Sequence, residues 1–567
     1  MSEVIFNLGS LKPQVEAAAK KFQTSKTIER IWERDHSVWR TEEVHKKSIL
    51  NRLGWLKSVE LMKANLSELT RFGDDVCKEG FTHAVVLGMG GSSLCPDVCR
   101  ATFGSARGFP RFLVLDSTNP LSVARIEQSI SLEKTLFLVA SKSGGTTETN
   151  MFYRYFYDQV ARTWGAAAGN NFVAITDADT QMEKEAKEKK FRRIFLNPAD
   201  IGGRYSALSY FGLVPMSVMG MDIKRILESA SAMIAQCSVN DLKKNAAAMI
   251  GIAMGEGFKS RKDKLTFIAS KGIETFSFWT EQLIAESTGK EGKGIVPIEG
   301  ETLSQSYSTD RVFVALRLEN EKNAFDSLLP KLREQGHPVI EIVLKDIHEL
   351  GGEFFRWEFS TAVAAVVMEI NPFDEPNVKE SKDNTVRVIE EYKKTKALPT
   401  QTAAAQKGDL RLYGETPYVE KLTAVAKGAS FEALFKAHLG QVVKGDYAAV
   451  LAYVDQNEKN LGLLQQLRSS IGSSTKCATT LGFGPRYLHS TGQLHKGGPP
   501  RGVFIIIIGD EVVDRKIPNE VFSFEVLKNA QAIGDYLSLA GRSLRVIRIY
   551  LGNDIDSGLT QLISIIR

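Results

Sequence analysis

Cysteine is scarce in this chain: five in 567 residues, Cys77, Cys95, Cys99, Cys237 and Cys477. An odd, scattered set of thiols excludes a disulfide framework and predicts reduced cysteines, as in a cytoplasmic protein. Long apolar runs are also missing. The longest, VFIIIIG at 503–509, is too short to cross a bilayer and reads as a buried strand. The start, MSEVIFNLGSLK, lacks the basic-then-apolar order of a secretory signal, which again predicts a cytoplasmic location. Nor does one sign of charge dominate. Against 72 Lys and Arg stand 67 Asp and Glu, a net +5 with no charged block. That balance suits small anionic metabolites and calls for neither nucleic acid nor membrane. There is no HExxH, no paired CxxC and no EF-hand loop, so no metal and no redox cofactor is expected.

What is there is an α/β pattern repeated along a chain too long for a single core. Residues 1–80 read as a helical segment, with helically spaced apolar residues in IERIWERDHSVWR and ILNRLGWLKSVELMKANLSELTRF. Over 81–245, short apolar runs (HAVVLGMGGSS, FLVLDST, TLFLVASKSGG, FVAITDAD) alternate with helical stretches. Each run ends in Gly, Ser, Thr or Asp, as parallel strands do when their C-terminal ends carry the working loops. A second such series occupies 246–400 and closes on the helix ELGGEFFRWEFSTAVAAVVMEI, after which 372–409 reads as a polar surface connection. A third αβ unit fills 401–567. It echoes the second: VFVALRLENEKN (312–323) before LLPKLR is like AVLAYVDQNEKN (449–460) before LLQQLR. The expected fold is α/β: two doubly wound parallel-sheet domains, an N-terminal helical segment and a third C-terminal unit.

Two loops are candidates for holding a ligand. GMGGSS (88–93) follows a strand and precedes a helical stretch, so Gly91 and Ser92 can bring backbone amides close to an anion. It lacks the dinucleotide-binding spacing and the lysine-serine end of a P-loop. SKSGGTTET (141–149) occupies the same slot one strand later. Ser141, Ser143, Thr146 and Thr149 can donate to phosphate oxygens, Lys142 adds a charge, and the two glycines free their amides. The alternative is a solvated helix cap. Together the loops resemble the sugar-isomerase (SIS) domain, which implies phosphosugar binding.

The chemistry is carried further on. In DIGGRYS (200–206), two glycines including Gly203 precede Arg204, whose guanidinium fork can hold an oxyanion. In FWTEQLIAESTGKEGKG (278–294), Gln282 and Glu286 stand four apart on one helix face. These two segments resemble the glucose-6-phosphate isomerase family, and the region beyond 400 is similar to the longer isomerases found fused to transaldolase. The resemblance implies that Glu286 moves a proton between C1 and C2 of a sugar phosphate while Arg204 steadies the enediolate, in glycolysis and gluconeogenesis. It also implies a lysine and a histidine for ring opening. Lys382 falls on the family's final lysine in INPFDEPNVKESK (370–382), where Glu375 replaces a usual glutamine and Asn377 a usual glycine. The usual histidine position, in YSTDRVFVAL, is Val312; an intact HSTGQ string begins at His489, which is preferred to His348 and His495. The family takes this histidine from a neighbouring subunit, so His489 is expected to act in cis or in trans, and a homodimer is possible. The rival readings are a bifunctional phosphoglucose/phosphomannose isomerase and a non-catalytic phosphosugar-binding regulator.

Overall fold

The computed structural model describes residues 2–566. Three sheets organise the chain. The first is wholly parallel, in the order Arg111–Leu115, His83–Gly88, Thr135–Ala140, Phe172–Asp177, Arg193–Asn197. Its central strands, TLFLVA and FVAITD, are buried at every position, which explains why they read as unbroken apolar runs rather than alternating ones. From His83–Gly88 the chain adds a strand on one side, then crosses to Thr135–Ala140 on the other. The strand order therefore reverses between these two. Loops 89–93 and 141–146 leave their C-terminal ends side by side, where open α/β sheets place their ligands.

The second sheet runs Glu3–Asn7, Val339–Leu344, Arg311–Leu318, Lys264–Ala269, Val296–Ile298, parallel except for the first strand. The N-terminal segment is thus not wholly helical. EVIFN alternates between exposed and half-buried positions, so it forms an edge strand that a search for continuous apolar runs passes over. The helix Leu350–Met368 is buried along almost its whole length. It packs on the helices Ile223–Cys237 and Ala246–Lys259 and joins one apolar core running through both units.

The third sheet follows the order Ala405–Lys407, Leu410–Tyr413, Arg545–Tyr550, Gly502–Ile508, Tyr447–Tyr453, Ala478–Phe483, with its last four strands parallel. The echoing sequences occupy like places. Arg311–Leu318 is followed by the helix Leu328–Glu334 and a parallel neighbour; Tyr447–Tyr453 is followed by the helix Glu458–Thr475 and a parallel neighbour.

Just under half of the polar connection expected over 372–409 is the helix Val378–Thr395. Only Ser381, Val388 and Ile389 of it are buried, a stripe too thin to stand out among its lysines and glutamates. That stripe packs on Phe524–Gly541 of the third unit and pins the unit against the first sheet. Among the described residues no helix is long and apolar enough to cross a membrane.

Candidate functional site

The loop at 89–93 and the turn at 202–204 meet back to back. A Cβ at Gly91 would lie 2.0 Å from the Gly203 carbonyl oxygen, so only glycine allows this approach. Gly91→Ala is expected to push the two loops apart, costing about 1–3 kcal/mol of stability and roughly tenfold in kcat/KM. A melting curve and an isomerase assay check the two halves separately.

The turn projects Arg204, 3% exposed, into a dense set of acceptors. Its Nε donates to Ser287 Oγ at 2.9 Å, and its Nη2 to the carbonyls of Pro372 at 2.6 Å and Asp374 at 2.9 Å. Its Nη1 stands 3.1 Å from Glu286 and 3.2 Å from Glu375. Burial disfavours its charge, but the two carboxylates outweigh that and hold the guanidinium charged. Lys290, the buried lysine of the ESTGK string, clamps the same 372–375 loop through Asp374 at 2.8 Å. Burial, with Arg204 nearby, pushes the Lys290 pKa down to about 8.

Glu286 and Gln282 share one face of the helix Phe276–Thr288, as their spacing of four requires. Gln282 Nε2 donates to Glu286 at 3.1 Å and to the His489 carbonyl at 2.7 Å. Burial raises the Glu286 carboxyl above its ordinary range; Arg204 opposes this and the charge of Glu375 adds to it. A base must be deprotonated to act, so activity should fall as pH drops through this raised value. Glu375→Gln removes one raising charge and leaves Arg204 less divided. The acid limb of the pH–rate profile is then expected to move to lower pH, and a limb that stays put would show that Glu375 does not tune the base.

His489 enters from the third unit, in the same chain. Its Nε2 lies 3.0 Å from Glu148 Oε1, and Gln531 Nε2 donates to that oxygen at 2.7 Å. Burial would raise Glu148, but the charge and hydrogen bond of His489, with Lys382 adding to them, hold it below the usual carboxylate range. Sequence reasoning does not single out Glu148. It sits in the first turn of Thr147–Trp164, directly after SKSGG, and the available signal is a lone carboxylate in a loop otherwise built for an anion. Gln531 and Lys290 escape it as well, since their partners are far away in sequence.

Gly145, Thr146, Thr147, Glu148, Lys382 and His489 together border a cavity of about 320 Å³. Arg204 and Glu286 do not line this cavity; Gln282, bonded to Glu286 and to the His489 carbonyl, links them to its wall. Ser141 is buried and donates to Thr146 Oγ1 at 3.0 Å; Ser92 is buried and Ser143 exposed. Two expected phosphate donors are placed differently. Thr149, three positions into the helix, is fully buried with an unpartnered hydroxyl. Lys142 is paired with Asp177 and bonds the Ala199 carbonyl at 3.2 Å, so its charge is shared with a carboxylate. Of the other histidines, His495 is buried and pushed down to about 3 by desolvation, while His348 sits on Asp346 and Phe103, away from the cleft.

Fold and cleft define a doubly wound α/β protein in which a buried guanidinium, paired with a half-buried carboxylate, abuts the glycine loop that leaves the switch-point strand His83–Gly88. Residues 55–309 match the phosphoglucose isomerase family. That span includes both glycine loops, Arg204, Gln282 and Glu286, and ends before Lys382 and His489. The chain is 26% identical over 428 residues to the glucose-6-phosphate isomerase of Prochlorococcus marinus strain MIT 9515, covering 66% of this chain and 78% of that one. It is 26% identical over 385 residues to the glucose-6-phosphate isomerase of Mycoplasmopsis pulmonis, covering 60% and 90%. A crystal structure of a hypothetical protein from Thermus thermophilus superposes with a TM-score of 0.58 at 22% identity, over 68% of this chain and 99% of that one. The last comparison concerns the fold alone.

Proposed function

We propose that this chain interconverts glucose 6-phosphate and fructose 6-phosphate, a step of glycolysis and gluconeogenesis. Aldose–ketose conversion removes a proton next to a carbonyl and returns it one carbon away, and one carboxylate reaching both carbons can do this. Glu286 takes that role. Charge left on the enediolate oxygen needs a fixed, dry donor, and Arg204 supplies it. The loop at 141–146, with Gly91 and Ser92 beside it, holds the phosphate. Lys382 and the Glu148-supported His489 face the cavity where the ring oxygen and O1 would lie, and open the ring. His489 reaches the cleft within one chain, so a homodimer is not needed to assemble it. Five free cysteines support a reducing, cytoplasmic setting.

The observation that carries this reading is the contact of the half-buried Glu286 with the buried Arg204 at 3.1 Å. Conversion in deuterated water tests it. Proton transfer through a carboxylate predicts deuterium at C2 of the recovered glucose 6-phosphate. Deuterium entering C2 at the wild-type rate in Glu286→Gln would remove Glu286 from its role.

A further inference from the structure

The hydroxyl-rich stretch ETLSQSYSTD (301–310) takes no part in the cleft described above. It borders a separate cavity of about 460 Å³ in the seam between the second and third units, within the size range of small-molecule sites. Across from it stand the C-terminal half of the helix Glu458–Thr475 and the residues leading into the strand Ala478–Phe483. Three cations line this cavity, Arg311, Arg468 and Lys476, against a single carboxylate, Glu301.

That carboxylate is already consumed. Glu301 accepts from Arg311 at 2.8 and 3.2 Å, and from the backbone N and Oγ1 of Thr479 at 3.0 Å each. Arg311 forms that ion pair; Arg468 forms none among the described residues. It is 1% exposed. Its Nε and Nη2 are spent on Thr479 and on the Glu299 and Thr479 carbonyls, and its Nη1 has no hydrogen-bond partner. A buried guanidinium with an unmade bond is costly. Glu299, Glu301 and Glu281 all act on its charge, and burial pushes the carboxyls of Glu299 and Glu281 up. Lys476 is exposed at the rim and makes no ion pair among the described residues. The hydroxyls of Ser469 and Ser473 also line the cavity. What remains is an excess of cations over carboxylates on the lining, with small hydroxyls beside them, the complement of an oxyanion carried on a polar body.

We propose that this seam cavity is a second anion site, built for a phosphate group, either free or carried on a small polyhydroxy compound. Cys477 provides the readout, because its thiol lines the cavity, whereas Cys77, the other half-buried thiol, contacts Gly108 far from the seam. The full-length protein is alkylated with N-ethylmaleimide alone, with inorganic phosphate, or with glucose 6-phosphate, and each cysteine is followed by peptide mass spectrometry. Phosphate at ten times its dissociation constant should slow Cys477 by about tenfold and leave Cys77 unchanged. Lys476→Glu should abolish that protection without changing isomerase turnover. Equal protection by both compounds assigns the site to the phosphate group alone; stronger protection by the sugar phosphate adds the serine hydroxyls. Cys477 labelling at one rate in every arm, or equal protection in Lys476→Glu and wild type, overturns the proposal.

Discussion

Glu286→Gln is expected to lower kcat by about 10²–10⁴-fold, the range assigned to a single general base, while the sugar phosphate still binds. The substitution keeps the shape of the side chain and its place beside Gln282, and removes only the ability to accept a proton. The fold should survive it. Deleting one partner of a buried ion pair usually costs about 3–5 kcal/mol because the other charge is left uncompensated. Arg204, however, keeps Ser287, two carbonyls and Glu375, so its charge is not stranded. A coupled assay for fructose 6-phosphate gives the turnover, and deuterium incorporation at C2 should fall in step with it. Unchanged turnover would put the base elsewhere. Glu375, 3.2 Å from the same guanidinium, would be the next residue to test.

The parts of the site that could be seen in the sequence are those whose partners lie close along the chain. Gln282 and Glu286 share a helix face because four residues nearly complete a turn, and the loop of Ser141–Thr146 follows a strand buried on both faces. These are local regularities. Glu148, Gln531, Lys290 and the unpaired Arg468 acquire their meaning only from residues tens to hundreds of positions away, which no periodicity reports. The same distinction holds for the fold. Buried parallel strands announce themselves as apolar runs, whereas the edge strand Glu3–Asn7 and the helix Val378–Thr395 each bury too little to do so. His489 is intermediate. Its string HSTGQ is legible, but that it completes the cleft from the third unit of the same chain follows only from its contacts with Glu148 and Gln282, hundreds of positions away. Lys142 and Thr149 show the limit of residue type as a guide: both could bind phosphate, and local folding turns one toward Asp177 and the other inward.

His489→Ala is expected to slow conversion of the cyclic sugar by about 10²–10³-fold and to spare a substrate that is already open. A ring oxygen cannot leave C1 without a proton donor, and His489 stands at the cavity wall with its Nε2 held by Glu148 at 3.0 Å. A carboxylate in that place fixes the ring's orientation. The proton transfer between C1 and C2 uses other groups, since His489 approaches Glu286 only through its backbone carbonyl and Gln282. The alanine keeps that carbonyl, so the base stays in position. A four-carbon aldose 4-phosphate, which has no free hydroxyl able to close a five- or six-membered ring, isolates the later step through hydrogen exchange at C2. Glu148→Gln should reproduce the same selectivity with a smaller loss, because it retains the hydrogen bond and removes the charge. Equal losses on cyclic and acyclic substrates would mean that His489 shapes the whole cleft rather than opening the ring, and Lys382, which also lines the cavity, would be the next residue to test.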